Sequence, residues 1–189
     1  DFAANSKLSG LKTGDRIVKI ALYFIDCPYE AGTLEADGPE TLQVNFKGFD
    51  CMTFVENVLA FDNLIQSKNR DFESFKNELK KIRYRDGVIE DYTSRLHYTT
   101  DWIFNNQKKG VVKLVDAGTK YPFFPLKVGY MSSHPEAYPP LKANPAFVAV
   151  MSEHEARINK LSFRYIPKRF AASSRGIIKN GDVIAITTN

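Results

Sequence analysis

The sequence predicts an α+β domain, with helices in the N-terminal half packed on an antiparallel sheet formed by the C-terminal half. Apolar residues in the first half recur every three or four positions, which is the spacing of a helix with one buried face. In the second half, short apolar runs between turn signals favour strands. Because the chain has 189 residues, 43% of them hydrophobic, we expect residues 1–189 to form a single domain.

Three amphipathic helices are predicted in the N-terminal half. The first covers residues 15–24, and its apolar residues lie on or near one face. The second begins at Cys51, after a short strand or an extended approach over residues 42–46. The third covers residues 71–82 and has a basic outer face. A turn at residues 86–87 then closes the helical half.

The C-terminal half is less regular. Strands are predicted at residues 111–115 and 161–166, and a turn followed by a buried strand at residues 181–186. Prolines interrupt residues 122–145, which we interpret as a long loop packed over the domain. A helix is predicted at residues 147–158.

Cys51 is the most informative residue of the chain, because it stands between a polar loop and a strongly amphipathic helix. Asp50 is suited to be the N-cap of that helix. In the first turn, unpaired backbone N–H groups and the positive end of the helix dipole favour a thiolate over a thiol. A small buried cysteine is the alternative, and helix position alone leaves both interpretations open.

The segment upstream of Cys51 carries a recognisable pattern. A Pro-Tyr-x-x-Gly element at residues 28–32, followed by Phe49-Asp50-Cys51 at the start of a helix, resembles the NlpC-type cysteine peptidases of bacterial cell walls. Four motifs in order are similar to the N-acetylmuramoyl-L-alanine amidase-like branch of that superfamily. These motifs lie at residues 31–35, 50–56, 82–87 and 94–102, and the resemblance extends over residues 17–187.

The resemblance implies a papain-like fold and cysteine-dependent amide hydrolysis. The bond would be the one between N-acetylmuramic acid and L-alanine in a peptidoglycan fragment, or muropeptide, which is the expected partner. Cys51 would be the nucleophile and Tyr29 would line the site beside it. The resemblance requires no metal or organic cofactor. It also implies a location in the bacterial cell envelope, periplasmic or exported, and no signal-peptide pattern follows Asp1.

A second cluster of functional side chains is predicted between residues 95 and 102. Arg95, His97, Asp101 and Trp102 bring together a cation, an imidazole, a carboxylate and an indole. Such groups can hold a carboxylate and a sugar ring, so we expect them to line or support a groove close to Cys51. A hydrogen-bonded plug in the core is the alternative.

The predicted nucleophile needs a base, which is usually an imidazole. In the family, the histidine follows the strand that corresponds to residues 181–186, and no His-x-Gly motif stands there. We therefore expect the chain to lack its C-terminal strands and to be inactive by itself. His134 is expected in a loop and His154 on a helix surface, which leaves His97 as the strongest substitute.

Two other functions remain open. The chain can be a non-catalytic module that binds muropeptides, or a glycan hydrolase that uses two carboxylates such as Glu35 and Glu56.

Interspersed charges with a formal net charge of +4 argue against nucleic-acid binding, and no apolar run is long enough to span a membrane. The cysteine and histidine spacings do not match a zinc site. We expect Cys27 and Cys51 to be unpaired, since a disulfide would block the thiol chemistry.

Overall fold

The structure, a computed structural model, describes residues 7–115 and 120–187, and helices dominate this part of the chain. The α-helices are α1 (Thr13–Tyr23), α2 (Cys51–Gln66), α3 (Phe72–Arg83), α4 (Thr99–Lys108), α5 (Tyr130–Ser133), α6 (Pro139–Ala143) and α7 (Pro145–Ile158). Short 3-10 helices lie at Leu8–Gly10, Arg85–Gly87, Tyr92–Ser94, Pro135–Ala137, Lys168–Phe170 and Ala172–Ile177.

The predicted α+β, papain-like fold is wrong. Within residues 7–115 and 120–187 no β-sheet forms, and β pairing is limited to isolated bridges. Tyr29 pairs with Phe49 in parallel, and Phe123 pairs with Arg164 in antiparallel orientation.

The three segments predicted as strands are irregular in the structure. Residues 111–115, 161–166 and 181–186 lie outside any sheet, apart from the single bridge at Arg164. Apolar alternation predicts a strand only when another strand supplies hydrogen bonds and a covering layer. Ile186 shows the difference, because its side chain is 80% exposed where the prediction expected a buried strand.

The proline-rich segment over residues 122–145, predicted to be a long loop, contains helices in the structure. Pro139 and Pro145 stand in the first turns of α6 and α7. A proline is tolerated there because the first helical N–H groups have no partner within the helix. The prolines therefore mark the starts of helices in this segment.

The helix α4 was not predicted, because its buried face is largely polar. Asp101, Trp102, Asn105 and Asn106 are the buried residues of this helix. Three of the four are polar, so the period of the buried face is hidden when only apolar residues are counted.

Contacts between residues divide the chain into two compact units. The first comprises the chain up to Ile89 together with the chain from Ile178 onward, and the second is Glu90–Ile177. In the first unit α2 packs against both α1 and α3. The core of this unit is apolar and includes the rings of two phenylalanines, and its buried members are Leu8, Ile20, Phe24, Phe49, Val58 and Ile65.

Two buried ion pairs fix α2 in the first unit. On one side, the Arg16 Nε of α1 donates to the Asp62 carboxylate at 2.6 Å. On the other, the Arg83 Nε of α3 donates to Glu56 Oε2 at 2.7 Å, and Arg83 Nη1 donates to the Gln43 carbonyl at 2.6 Å. Arg83 thereby links two helices and the loop that leads to α2. Because a buried pair is costly to break, the two pairs specify which helix faces meet.

The second unit is built around a core of Tyr92, Met131, Leu141 and Met151. Beside this core, the carboxylate of Glu155 on α7 accepts hydrogen bonds from the Tyr98 hydroxyl at 2.5 Å and from the Ser132 N–H at 3.1 Å. Burial, reinforced by the hydrogen bond to Glu155, raises the pKa of the Tyr98 phenol. Tyr98 therefore stays a neutral donor in this network.

Among the described residues, no helix has the length and apolar character that a membrane span requires.

We predict that Glu56→Ala destabilises the protein strongly. The substitution would leave the Arg83 guanidinium buried without its counter-charge, which typically costs ~3–5 kcal/mol. Glu73→Ala is the matched control, because Glu73 pairs with Lys76 at 2.6 Å on the exposed side of α3. An exposed pair of this kind contributes less than about 1 kcal/mol. Urea unfolding measures both changes, and equal losses would contradict the assigned role of the Glu56–Arg83 pair.

Candidate active site

Cys51 is the first residue of α2, and its side chain is exposed. Asp50 is the N-cap, as predicted. Its Oδ1 accepts a hydrogen bond from the Thr53 N–H at 2.7 Å, while Thr53 Oγ1 accepts one from the Asp50 N–H at 2.9 Å. This reciprocal capping box fixes the residue at which the helix begins. It therefore holds the Cys51 thiol at the positive end of the helix dipole, in contact with solvent.

The residues before Cys51 are anchored to the core and to a neighbouring segment. Phe49 is buried, and its backbone forms the parallel bridge with Tyr29. The Glu30 N–H donates to the Phe49 carbonyl at 3.0 Å, and the Phe49 N–H donates to the Pro28 carbonyl at 3.1 Å. The backbone of Tyr29 thus lies opposite Phe49, two residues before Cys51. The Tyr29 side chain is 74% exposed, so its phenol is accessible at this surface.

The two cysteines are free, as predicted. Cys27 is half-buried and packs against the aromatic core of the first unit. In a parallel pairing, the chain after Tyr29 runs alongside the chain after Phe49. Cys27 therefore lies on the opposite side of the bridge from Cys51, which explains why the two thiols are not joined.

The two candidate carboxylates differ in their surroundings. Glu56 is 3% exposed, and Oε2 of its carboxylate is engaged by Arg83. Glu35 is exposed in the loop that precedes α2. A buried carboxylate held by an arginine is out of reach of a glycan, so Glu56 is unsuited to acid/base work on a surface substrate.

The predicted cluster around His97 belongs to the second unit. Arg95, Asp101 and Trp102 are 4%, 2% and 2% exposed, while His97 is half-buried. Asp101 Oδ1 accepts a hydrogen bond from Asn105 Nδ2 at 3.0 Å. Burial suits these three residues to support a surface, and solvent reaches His97.

Tyr92 contacts two members of this cluster, Arg95 and His97, and sequence reasoning missed it. Its ring lies 4.4 Å from the His97 ring, and the Arg95 guanidinium stands 5.0 Å from its centroid. His97 Nε2 lies 2.7 Å from the Tyr92 carbonyl, an acceptor, which places the proton of the neutral ring on Nε2. A lone tyrosine carries no periodic signal, so only the folded chain reveals this role.

The other two histidines also lie in the second unit. His134 is exposed, and its ring stacks on the Tyr130 ring with the two ring centroids 4.2 Å apart. The Nδ1 of His154 accepts a hydrogen bond from Arg157 Nη2 at 3.0 Å. Within residues 7–115 and 120–187, no three histidine, cysteine, aspartate or glutamate side chains gather as a metal site requires.

Comparison with known proteins finds one matching family model and several similar structures. The model, AmiA-like and described as N-acetylmuramoyl-L-alanine amidase-like, matches residues 19–189. A crystal structure of an N-acetylmuramoyl-L-alanine amidase from Bacteroides uniformis is 42% identical with a TM-score of 0.86, and the match covers 94% of this chain and 74% of that one. No curated protein matches the chain.

Two further structures are similar over most of this chain. A Bacteroides fragilis protein, provisionally named a xylanase, is 42% identical with a TM-score of 0.74, over 80% of this chain and 66% of that one. A Legionella pneumophila protein is 25% identical with a TM-score of 0.59, over 92% of this chain and 63% of that one.

We predict that Cys51 is the reactive thiol of the folded protein. Because Cys51 is exposed at the helix start and Cys27 is half-buried, iodoacetamide should alkylate Cys51 at least ~10-fold faster. Mass spectrometry of timed samples measures both sites. Cys27→Ser should keep the fast phase and Cys51→Ser should lose it, whereas faster labelling of Cys27 would contradict the prediction.

Proposed function

Because the chain belongs to the AmiA-like, N-acetylmuramoyl-L-alanine amidase-like family, we propose that it is an amide hydrolase acting on peptidoglycan fragments. The bond cut is the amide between N-acetylmuramic acid and the L-alanine of the stem peptide. The name of the Bacteroides uniformis relative supports this choice of bond. The observation that carries the proposal is the exposed Cys51 thiol at the capped start of α2.

The proposed reaction proceeds through a thioester. The Cys51 thiolate attacks the lactyl carbonyl carbon of the muropeptide, and the carbonyl oxygen becomes an oxyanion. The C–N bond then breaks as a proton is delivered to the leaving L-alanine nitrogen. Water adds to the thioester carbonyl, releasing the glycan carboxylate and restoring the thiol.

The start of α2 supplies electrostatic support for this reaction. The backbone N–H of Cys51 belongs to the first turn of the helix, where N–H groups have no partner within the helix. Such a donor can stabilise the oxyanion, and the exposed Tyr29 phenol can add a second hydrogen bond. These roles are the ones implied by the resemblance of residues 28–32 and 49–51 to NlpC-type cysteine peptidases.

The thiol also needs a base that later returns its proton as an acid, and we assign this role to an imidazole. For His97 we propose a different role, on the substrate side. Its Nε2 proton faces the Tyr92 carbonyl, and its ring packs against that tyrosine. Arg95, Asp101 and Trp102 would support His97 from the interior, since all three are buried.

Two rival functions receive less support. A muropeptide-binding module without catalysis would not need an exposed thiol at a helix start. A glycan hydrolase built on Glu35 and Glu56 conflicts with the burial of Glu56 in its ion pair. A peptidoglycan substrate also places the proposed enzyme in the bacterial cell envelope, periplasmic or exported.

We predict that Cys51→Ala abolishes amide cleavage. Loss of the nucleophile should lower turnover below ~10⁻³ of the wild-type value, with the helical circular dichroism spectrum unchanged. Mass spectrometry of a muropeptide digest measures release of the stem peptide. Cys27→Ala is the control and should keep full activity.

Two outcomes would contradict this assignment. Cleavage retained by Cys51→Ala would exclude the thiol mechanism. Muropeptide binding without cleavage by the unmodified protein would favour the binding module.

We predict that His97→Ala acts mainly on KM. Removing one substrate contact should raise KM ~5–10-fold and change kcat little, which corresponds to about 1–1.4 kcal/mol of binding energy. His154→Ala is the matched control on the surface of α7 and should leave both constants unchanged. A ~100-fold slower turnover with an unchanged KM would instead identify His97 as the base.

A further inference from the structure

Glu30 is an exposed residue whose side chain is held in one place. Its backbone N–H donates to the Phe49 carbonyl, and its Oε2 accepts a hydrogen bond from Asn45 Nδ2 at 3.1 Å. The Asn45 Oδ1 in turn accepts a hydrogen bond from the Lys47 N–H at 2.9 Å. Both ends of the Asn45 amide are therefore engaged, which fixes its orientation and directs its N–H at Glu30.

Gly48 leaves the space in which the Glu30 carboxylate lies. A Cβ placed on Gly48 would stand 2.5 Å from Glu30 Oε2, 2.9 Å from Glu30 Cβ and 3.2 Å from the Pro28 carbonyl oxygen. Gly48 is buried, so the Glu30 side chain crosses directly over the backbone at this point. A residue with a side chain at position 48 would push the carboxylate away.

The second carboxylate oxygen of Glu30 is available to a ligand. In the described part of the chain, Glu30 Oε1 has no hydrogen-bond partner, and the side chain is exposed. An unanchored glutamate loses rotamer entropy when a ligand orders it. Because Asn45 and Gly48 already order this side chain, most of that cost is met before any ligand arrives.

We propose that Glu30 is a substrate-binding residue of the Cys51 site. Its Oε1 accepts a hydrogen bond from a hydroxyl or amide N–H group of the muropeptide. The Glu30 N–H bonds the carbonyl of Phe49, and the Glu30 carboxylate lies over the backbone of Gly48, three residues before Cys51 in the chain. Hydrogen bonds to an ionised acceptor are about twice as strong as neutral ones. This inference rests on the proposed function.

Muropeptide binding by the inactive Cys51→Ala variant, used as the parent protein, separates the binding role of Glu30 from the cleavage reaction. In a Cys51→Ala background, isothermal titration calorimetry measures the Kd of an intact muropeptide. Glu30→Gln should weaken binding ~5–10-fold, because the amide can satisfy Asn45 only by turning its NH₂ group toward the substrate donor. Asp37→Asn is the control, since it removes the same charge from another exposed position of the same loop and should change Kd less than twofold.

A second variant, Gly48→Ala, keeps the Glu30 carboxylate and tests whether its position matters for binding. Gly48→Ala retains Glu30 but displaces it, so it should weaken binding in the same direction. Gly10→Ala is its control, because a Cβ at Gly10 meets open space. Thermal unfolding of each variant separates a loss of stability from a loss of affinity.

Titrating the two halves of the muropeptide separately shows which half carries the group that donates to Glu30. The disaccharide alone and the stem peptide alone are titrated against the Cys51→Ala parent and its Glu30→Gln derivative. The half whose affinity falls carries the hydroxyl or the amide N–H that Glu30 recognises.

The two proposals fail in different ways. Unchanged affinity for the muropeptide and for both halves in Glu30→Gln and Glu30→Ala would overturn the role of Glu30 alone. A parent that binds no muropeptide would overturn the proposed function, and with it the role of Glu30.

Discussion

The fixed start of α2 is the constraint on which the candidate site depends. Phe49 is buried and packs edge-to-face on Phe24, with ring centroids 5.1 Å apart, so the chain enters the helix from a rigid point. The Asp50–Thr53 capping box then sets the first helical residue. Because the bridge to Tyr29 uses the backbone of Phe49, the same anchor places Tyr29 and the residue after it. Loosening Phe49 would move every group assigned to the site in this unit.

Local signals made the N-terminal helices predictable from sequence. Helices were expected at residues 15–24 and 71–82, and the structure has Thr13–Tyr23 and Phe72–Arg83. The caps carry much of this information, since Asp71 accepts from the Ser74 N–H at 2.7 Å just as Asp50 accepts from Thr53. Strands were not predictable in the same way, because a strand needs a partner elsewhere in the chain, and residues 181–186 have none in the described structure.

The site shows the same division between local and distant information. Cys51 was identified because Asp50 and the apolar period of the following helix are its neighbours in sequence. Glu30 was not, since its position depends on Asn45 and Gly48, which lie 15 and 18 residues away. Tyr92 was missed for a different reason: it lies only three and five residues from Arg95 and His97, but a lone tyrosine carries no periodic signal.

The absence of a sheet from the described residues leaves the chemistry proposed for Cys51 unchanged. The oxyanion support proposed for the Cys51 site uses backbone N–H groups in the first turn of its own helix, which have no partner within that helix. A sheet would position other groups against the thiol, but the Asp50–Thr53 capping box sets the start of the helix without one. The helical unit therefore contains the proposed nucleophile, its cap and the neighbouring Tyr29 and Glu30 within residues 28–53.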